Sequence, residues 1–147
     1  MIALIQRVKS SSVKVDGKVV AKIGRGFNIL LGIEEGDTSS DIDKLIKKIV
    51  KMRIFENECG KFDLSILDVA GEILVVSQFT LLADIKKGNR PSFSRAMNPK
   101  DAKILYREFV DKLSQHISTK EGIFGAMMEV EIINDGPVTI VANSKEL

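Results

Sequence analysis

The chain has no tryptophan, one tyrosine, one histidine and one cysteine in 147 residues. Each shortage excludes something. Cys59 alone forms no internal disulfide, and with His116 as the sole histidine a transition-metal site of the usual ligands is not expected. No cofactor is expected either. Long hydrophobic runs are also missing. None approaches the ~20 residues of a membrane helix, and Met1–Val8 is too short and wrongly flanked for a signal peptide. The expectation is a cytoplasmic protein without membrane contact. A formal net charge of +2 is too small to argue for nucleic acid, so only the distribution of charge can carry that case.

What remains is 44% hydrophobic, enough for a single domain spanning residues 1–147 around one core. Its organising stretch is Glu72-Ile-Leu-Val-Val-Ser-Gln-Phe-Thr-Leu-Leu82. Ile73 to Val76 are apolar at every position and mostly β-branched, which predicts a strand covered on both faces. The run then turns polar at Ser77, Gln78 and Thr80. Those groups are either paired internally or offered, with nearby backbone N–H groups, to a ligand in a pocket.

The flanking segments give the architecture. Short apolar alternations around Asp16-Gly17 predict a hairpin, because Asp-Gly supplies the positive φ angles of a tight turn. Phe27–Ile33 predicts another strand, and Glu34-Glu35 between Gly32 and Gly36 a solvated turn. After Thr38, the residues Ile42, Leu45, Ile46, Ile49 and Val50 share one helical face. Acidic residues lie in its first turn and Lys47, Lys48, Lys51 and Arg53 later, which suits the helix dipole; these cations form either a solvated face or a phosphate-binding one. Asn98-Pro99 predicts the start of a second helix, with Asn98 as N-cap. Ala102, Leu105, Tyr106, Phe109, Val110, Leu113 and Ile117 make its buried stripe, and His116 lies near its end. Beyond it, Met128–Ile132 and Val138–Val141 read as an outgoing and a returning strand joined by Asn134-Asp-Gly-Pro137. The expected fold class is α/β (α+β), a compact, mostly antiparallel, barrel-like sheet with two amphipathic helices.

Lys86, Lys87, Arg90 and Arg95 around Gly88 and Pro91 make the one basic loop of the chain. Phe93 among those cations either stacks on a base or anchors the loop to the core.

Ser77-Gln-Phe-Thr-Leu81 together with Asn134-Asp-Gly-Pro-Val-Thr139 resembles the motif pair of the D-aminoacyl-tRNA deacylases. The resemblance extends to Gln6-Arg7-Val8, Lys87-Gly-Asn-Arg-Pro-Ser-Phe93 and Gly122-Ile-Phe-Gly-Ala-Met127, and so spans essentially the whole chain. Ile2 departs from it, standing where many relatives carry a basic residue, and touches only a peripheral contact. The resemblance implies a homodimer that hydrolyses the ester between a D-amino acid, or mischarged glycine, and the terminal adenosine of tRNA. It implies that Ser77, Gln78, Phe79 and Thr80 form the catalytic pocket. Gly136 and Pro137, joined by a cis peptide, would enter the partner subunit's pocket and check chirality by rejecting L side chains. Lys86, Lys87, Arg90 and Arg95 would hold the tRNA.

The residue chemistry permits that reaction without a strong nucleophile, since an aminoacyl ester is already activated and has a ribose hydroxyl beside it. Neither Ser77 nor Thr80 has a base adjacent in sequence, so a substrate-assisted route is preferred to a Ser-His-Asp triad or a Thr80 nucleophile. Two other classes stay open: a non-catalytic tRNA-end binding module, and a hydrolase of small esters or amides.

Overall fold

The computed structural model describes residues 1–147. In chain order the elements are β1 (Ile2–Val15), β2 (Lys18–Ile23), β3 (Gly26–Gly32), α1 (Ser39–Lys51), β4 (Phe55–Glu56), β5 (Phe62–Leu64), β6 (Glu72–Ser77), a 3₁₀ turn (Phe79–Leu82), α2 (Pro99–Ser114), β7 (Thr119–Glu121) and β8 (Glu129–Asn143). The main sheet runs β2-β1-β3-β6-β7, with β8 on β1. Pairings with β1 are antiparallel, whereas β6 lies parallel to both β3 and β7.

β1 is one long strand where the sequence reads as a strand followed by a separate hairpin arm. Ile2–Val8 pair with β3, and Ser11–Val15 pair with β2. The strand survives the polar stretch Lys9–Ser12 because its other edge is held by β8 throughout. The Asp16-Gly17 turn is as expected, with φ of 49° and 76°.

A second difference lies at the far end. Residues 129–143 form a single strand along β1, not two strands joined by a hairpin. Val8 pairs with Asn134 and Gln6 with Thr139, so Asp135–Val138 bulge out opposite Arg7 while the strand keeps its direction. Length explains it: β1 offers a continuous partner for both halves.

The two helices follow their sequence signals. Thr38 caps α1 in a reciprocal box with Asp41, and the Asn98 side chain accepts the Asp101 N–H at 3.1 Å with Pro99 in the first turn of α2. α1 stops at Lys51, so Arg53 lies beyond it and pairs with Asp63. Ile42, Leu45, Ile49, Tyr106, Phe109 and Leu113 pack on one sheet face against Ile5, Phe27, Ile29, Ile73 and Val75. On the opposite face Leu74 and Val76 join Val8, Val13, Ala21 and Ile23 under the curl of β2 and β8. Ile73–Val76 is therefore covered on both sides, none of the four more than 2% exposed. No helix is long and apolar enough to cross a membrane.

Candidate active site

β6 carries the first motif from this doubly covered interior to the surface. Ser77 and Gln78 are half-buried, and Phe79 and Thr80 are exposed. The chain is bent at this point by two contacts with the end of β3. Gln78 donates its N–H to the Leu31 carbonyl at 2.8 Å. The 3₁₀ turn packs onto Gly32, where a Cβ would meet the Gln78 carbonyl and Leu81 at 3.2 Å. Because the turn begins at Phe79, the N–H groups of Phe79 and Thr80 have no partner inside it and are free to donate outward. The Gln78 amide donates to the Thr80 hydroxyl, which fixes that side chain.

The basic loop folds over the same edge. Asp84 and Ser92 exchange backbone hydrogen bonds of 2.8 and 2.9 Å, closing residues 85–91 into a projecting loop. Lys86, Lys87 and Arg90 are exposed there and make no ion pair. Arg95 differs. Its guanidinium binds Glu34 at 2.8 Å, and Lys145 binds the other carboxylate oxygen at 2.6 Å. Glu34, expected in a solvated turn, is instead buried. The hydrogen bond from Lys145 holds its carboxyl below the usual value, burial opposes that, and Arg95 adds to the lowering.

Phe79 and Phe93 meet edge to face, ring centroids 5.1 Å apart at 72°. A groove of about 500 Å3 adjoins β6 on its other side, lined by Lys100, Ile104, Tyr106, Arg107, Ile123 and Phe124. It is tied to the strand through Val75, whose carbonyl accepts the Gly122 N–H at 3.0 Å and the Tyr106 hydroxyl at 3.1 Å. Burial pushes the Tyr106 phenol up, which keeps it a neutral donor.

The second motif stands elsewhere in the chain. Gly136 and Pro137 are exposed, and the peptide between them is cis. β8, β1, β3 and β6 are successive neighbours, so three strand spacings, about 14 Å, separate this bulge from the first motif. Along the strands Arg7 aligns with Phe27 and Ile73, four residues from Ser77 and so roughly 13 Å further off. Within one chain, then, the two motifs do not form one site.

Arg7 holds the bulge. It is buried; its Nε donates to the Asp135 carbonyl at 3.1 Å and its Nη1 to the Ile54 carbonyl at 2.7 Å. A Cβ on Gly136, whose φ is +124°, would sit 3.0 Å from Nη2 and 2.9 Å from Val138 Cγ2. Neither Arg7 nor Glu34 emerges as functional from residue patterns, although an arginine inside the apolar strand Ala3–Val8 is itself a signal of a buried, committed charge. His116 is exposed beyond α2, by the α1–α2 groove with Lys47 and Gln115, and makes no hydrogen bond to Ser77 or Thr80. Cys59 is an exposed free thiol, and no cluster of metal-ligating side chains is present.

Comparison with known proteins identifies the family. Residues 4–143 match the family model described as D-Tyr-tRNA(Tyr) deacylase. D-aminoacyl-tRNA deacylases of a Nitratiruptor species and of Aquifex aeolicus are 63% and 59% identical, each alignment covering all of both chains. A solved structure described as a c-Myc DNA Unwinding Element Binding Protein is 44% identical, with a TM-score of 0.92 over 97% of this chain and 98% of its own. A probable eukaryotic D-amino acid tRNA deacylase superposes with a TM-score of 0.81 over 97% and 98% of the two chains at 17% identity, which speaks to the fold alone. The chain belongs to the D-Tyr-tRNA(Tyr) deacylase family, and its enzyme class is that of the D-aminoacyl-tRNA deacylases, hydrolases acting on an ester bond.

Proposed function

We propose that the protein cleaves the ester between a D-amino acid and the terminal adenosine of tRNA, accepts glycyl-tRNA, and spares L-aminoacyl-tRNA. The observation that carries this reading is the passage from the buried Ile73–Val76 to an exposed turn whose N–H groups at Phe79 and Thr80 are free. Such donors suit the oxyanion that develops as water attacks an ester. Ser77 and Thr80 position the ester, and the ribose hydroxyl of the substrate helps activate the water. The Thr80 hydroxyl is held by the Gln78 amide and hydrogen-bonds to no base that would make it a nucleophile. The groove beside β6, lined by the apolar Ile123, Phe124 and Tyr106 together with Lys100 and the Arg107–Glu121 ion pair, suits the terminal adenosine.

A complete site takes two copies of the chain. The separation of the two motifs within one chain supports a homodimer in which the Gly136–Pro137 bulge of one copy faces the Ser77–Thr80 turn of the other. Val141, 63% exposed on the same strand, and the exposed Ile133 supply apolar surface for that contact. Braced backbone carbonyls at Gly136 and Pro137 leave room for hydrogen on the α-carbon and collide with an L side chain, so glycine passes.

Incubation with D-aminoacyl-, L-aminoacyl- and glycyl-tRNA and with a free D-amino-acid ester, alongside a tRNA-binding measurement, tests the whole reading. Cleavage of the first and third with the second spared is expected; binding of tRNA with cleavage of none makes the chain a nucleic-acid binder without catalysis, and cleavage of the free ester as fast as of the tRNA makes it a small-ester hydrolase.

A further inference from the structure

Phe79 and Phe93 are 57% and 36% exposed, though each is large and apolar and they touch one another. An edge-to-face pair usually packs inside a core. This pair stands on the rim of the site, and its backbone is tightly held. Asp84 and Ser92 pair across the loop, the Phe93 carbonyl accepts the Ala96 N–H at 3.0 Å, and Glu35 donates to the Arg95 carbonyl at 2.9 Å. The rings are thus presented on a fixed support, and three unpaired cations, Lys86, Lys87 and Arg90, project from the same loop. Aromatic faces beside unpaired cations are the elements with which proteins hold single-stranded nucleic acid: rings stack on bases and cations follow phosphates.

We infer that the Phe79–Phe93 pair is a stacking platform for the unpaired base that precedes the terminal adenosine, with Lys86, Lys87 and Arg90 on the flanking phosphates. The inference rests on the tRNA-end reading above and adds a second nucleotide to it. Placement decides which base is meant. Phe79 lies between Gln78 and Thr80 in the turn that holds the ester, so its ring reaches the neighbouring nucleotide rather than a distant part of the acceptor stem. Arg95 takes no part, because Glu34 already holds it.

The test compares D-aminoacyl-tRNA with D-aminoacyl-adenosine, which lacks the preceding nucleotide, and with a D-aminoacyl-tRNA abasic at that position. Phe93→Ala should raise KM for the tRNA about tenfold, within the range of base–aromatic stacking, and change kcat/KM for the adenosine ester less than twofold. Phe93→Leu, which keeps apolar bulk for folding, should behave alike. The abasic tRNA should lose a similar factor with the unaltered protein and nothing further with either variant. An unchanged KM in both variants overturns the platform, as does an equal loss on both substrates or a multiplication of the variant and abasic losses. If the unaltered protein cleaves neither substrate, the hydrolase reading falls and takes this one with it; if it cleaves both and Phe93 is indifferent, only the platform falls.

Discussion

Arg7 and Asp135 face each other across the β1–β8 ladder, the guanidinium donating to the Asp135 carbonyl at 3.1 Å and lying 3.4 Å from its carboxylate. The same side chain donates to the Ile54 carbonyl and lies over the Phe62 ring at 5.6 Å. A buried arginine satisfied in this way holds a four-residue bulge in one position.

Arg7→Ala is therefore expected to destabilise the fold by about 2 kcal/mol, the usual cost of leaving carbonyls without a charged donor. Arg7→Lys keeps the charge and loses the fork, so it should retain more stability than Arg7→Ala yet discriminate less between D- and L-aminoacyl-tRNA. Urea unfolding and the ratio of the two kcat/KM values measure these separately.

Gly136→Ala tests the same brace from the other side. The new methyl meets Arg7 and Val138 at a φ that L residues rarely adopt. Loss of activity with a modest fall in melting temperature is expected, and full activity would show that the bulge tolerates displacement.

Thr80→Ala removes one positioning hydroxyl while the free N–H groups stay. One such hydrogen bond is worth about 1 kcal/mol, so activity should fall roughly tenfold or less, whereas a substrate ending in 2′-deoxyadenosine should react far more slowly. Abolition by Thr80→Ala, with normal cleavage of the deoxy substrate, would assign Thr80 the nucleophilic role.

The basic loop should separate into two classes of residue. Replacing Lys86, Lys87 and Arg90 together by Ala should raise KM for every tRNA alike and flatten its salt dependence, by about 0.7 in the log–log slope for each single-strand phosphate no longer neutralised. Arg95→Ala should instead lower thermal stability, because it strips a partner from the buried Glu34.

Glu34 also sets an acid limit. Its folded-state pKa lies below the usual 4.5, chiefly through the Lys145 hydrogen bond. The unfolded chain thus binds the proton first, and the clamp's contribution is full above about pH 4.5 and lost as pH falls through the lowered value. Glu34→Gln should show a shallower decline in stability as pH falls below about 4.5, measured by denaturant unfolding at each pH.

Local physics made much of this protein legible from its residues. The period of α1, the Asn98-Pro99 start of α2, the Asp16-Gly17 turn and the double burial of Ile73–Val76 depend on neighbours within a few positions, and each stands as the sequence implies. The polar end of β6 is equally plain in the sequence, since Ser77, Gln78 and Thr80 break an apolar run. Tertiary contacts alone decided the rest. Asn134–Pro137 has the composition of a turn, but becomes a bulge because β1 is long enough to pair with both flanks. Glu34 has the sequence of a solvated turn, but is buried once Arg95 and Lys145, 61 and 111 residues away, arrive to neutralise it. Arg7 is one charge in an apolar strand until Ile54 and Asp135 supply carbonyls for it. Charges and turn residues take their roles from partners remote in sequence, and only the folded chain brings those partners within hydrogen-bond reach.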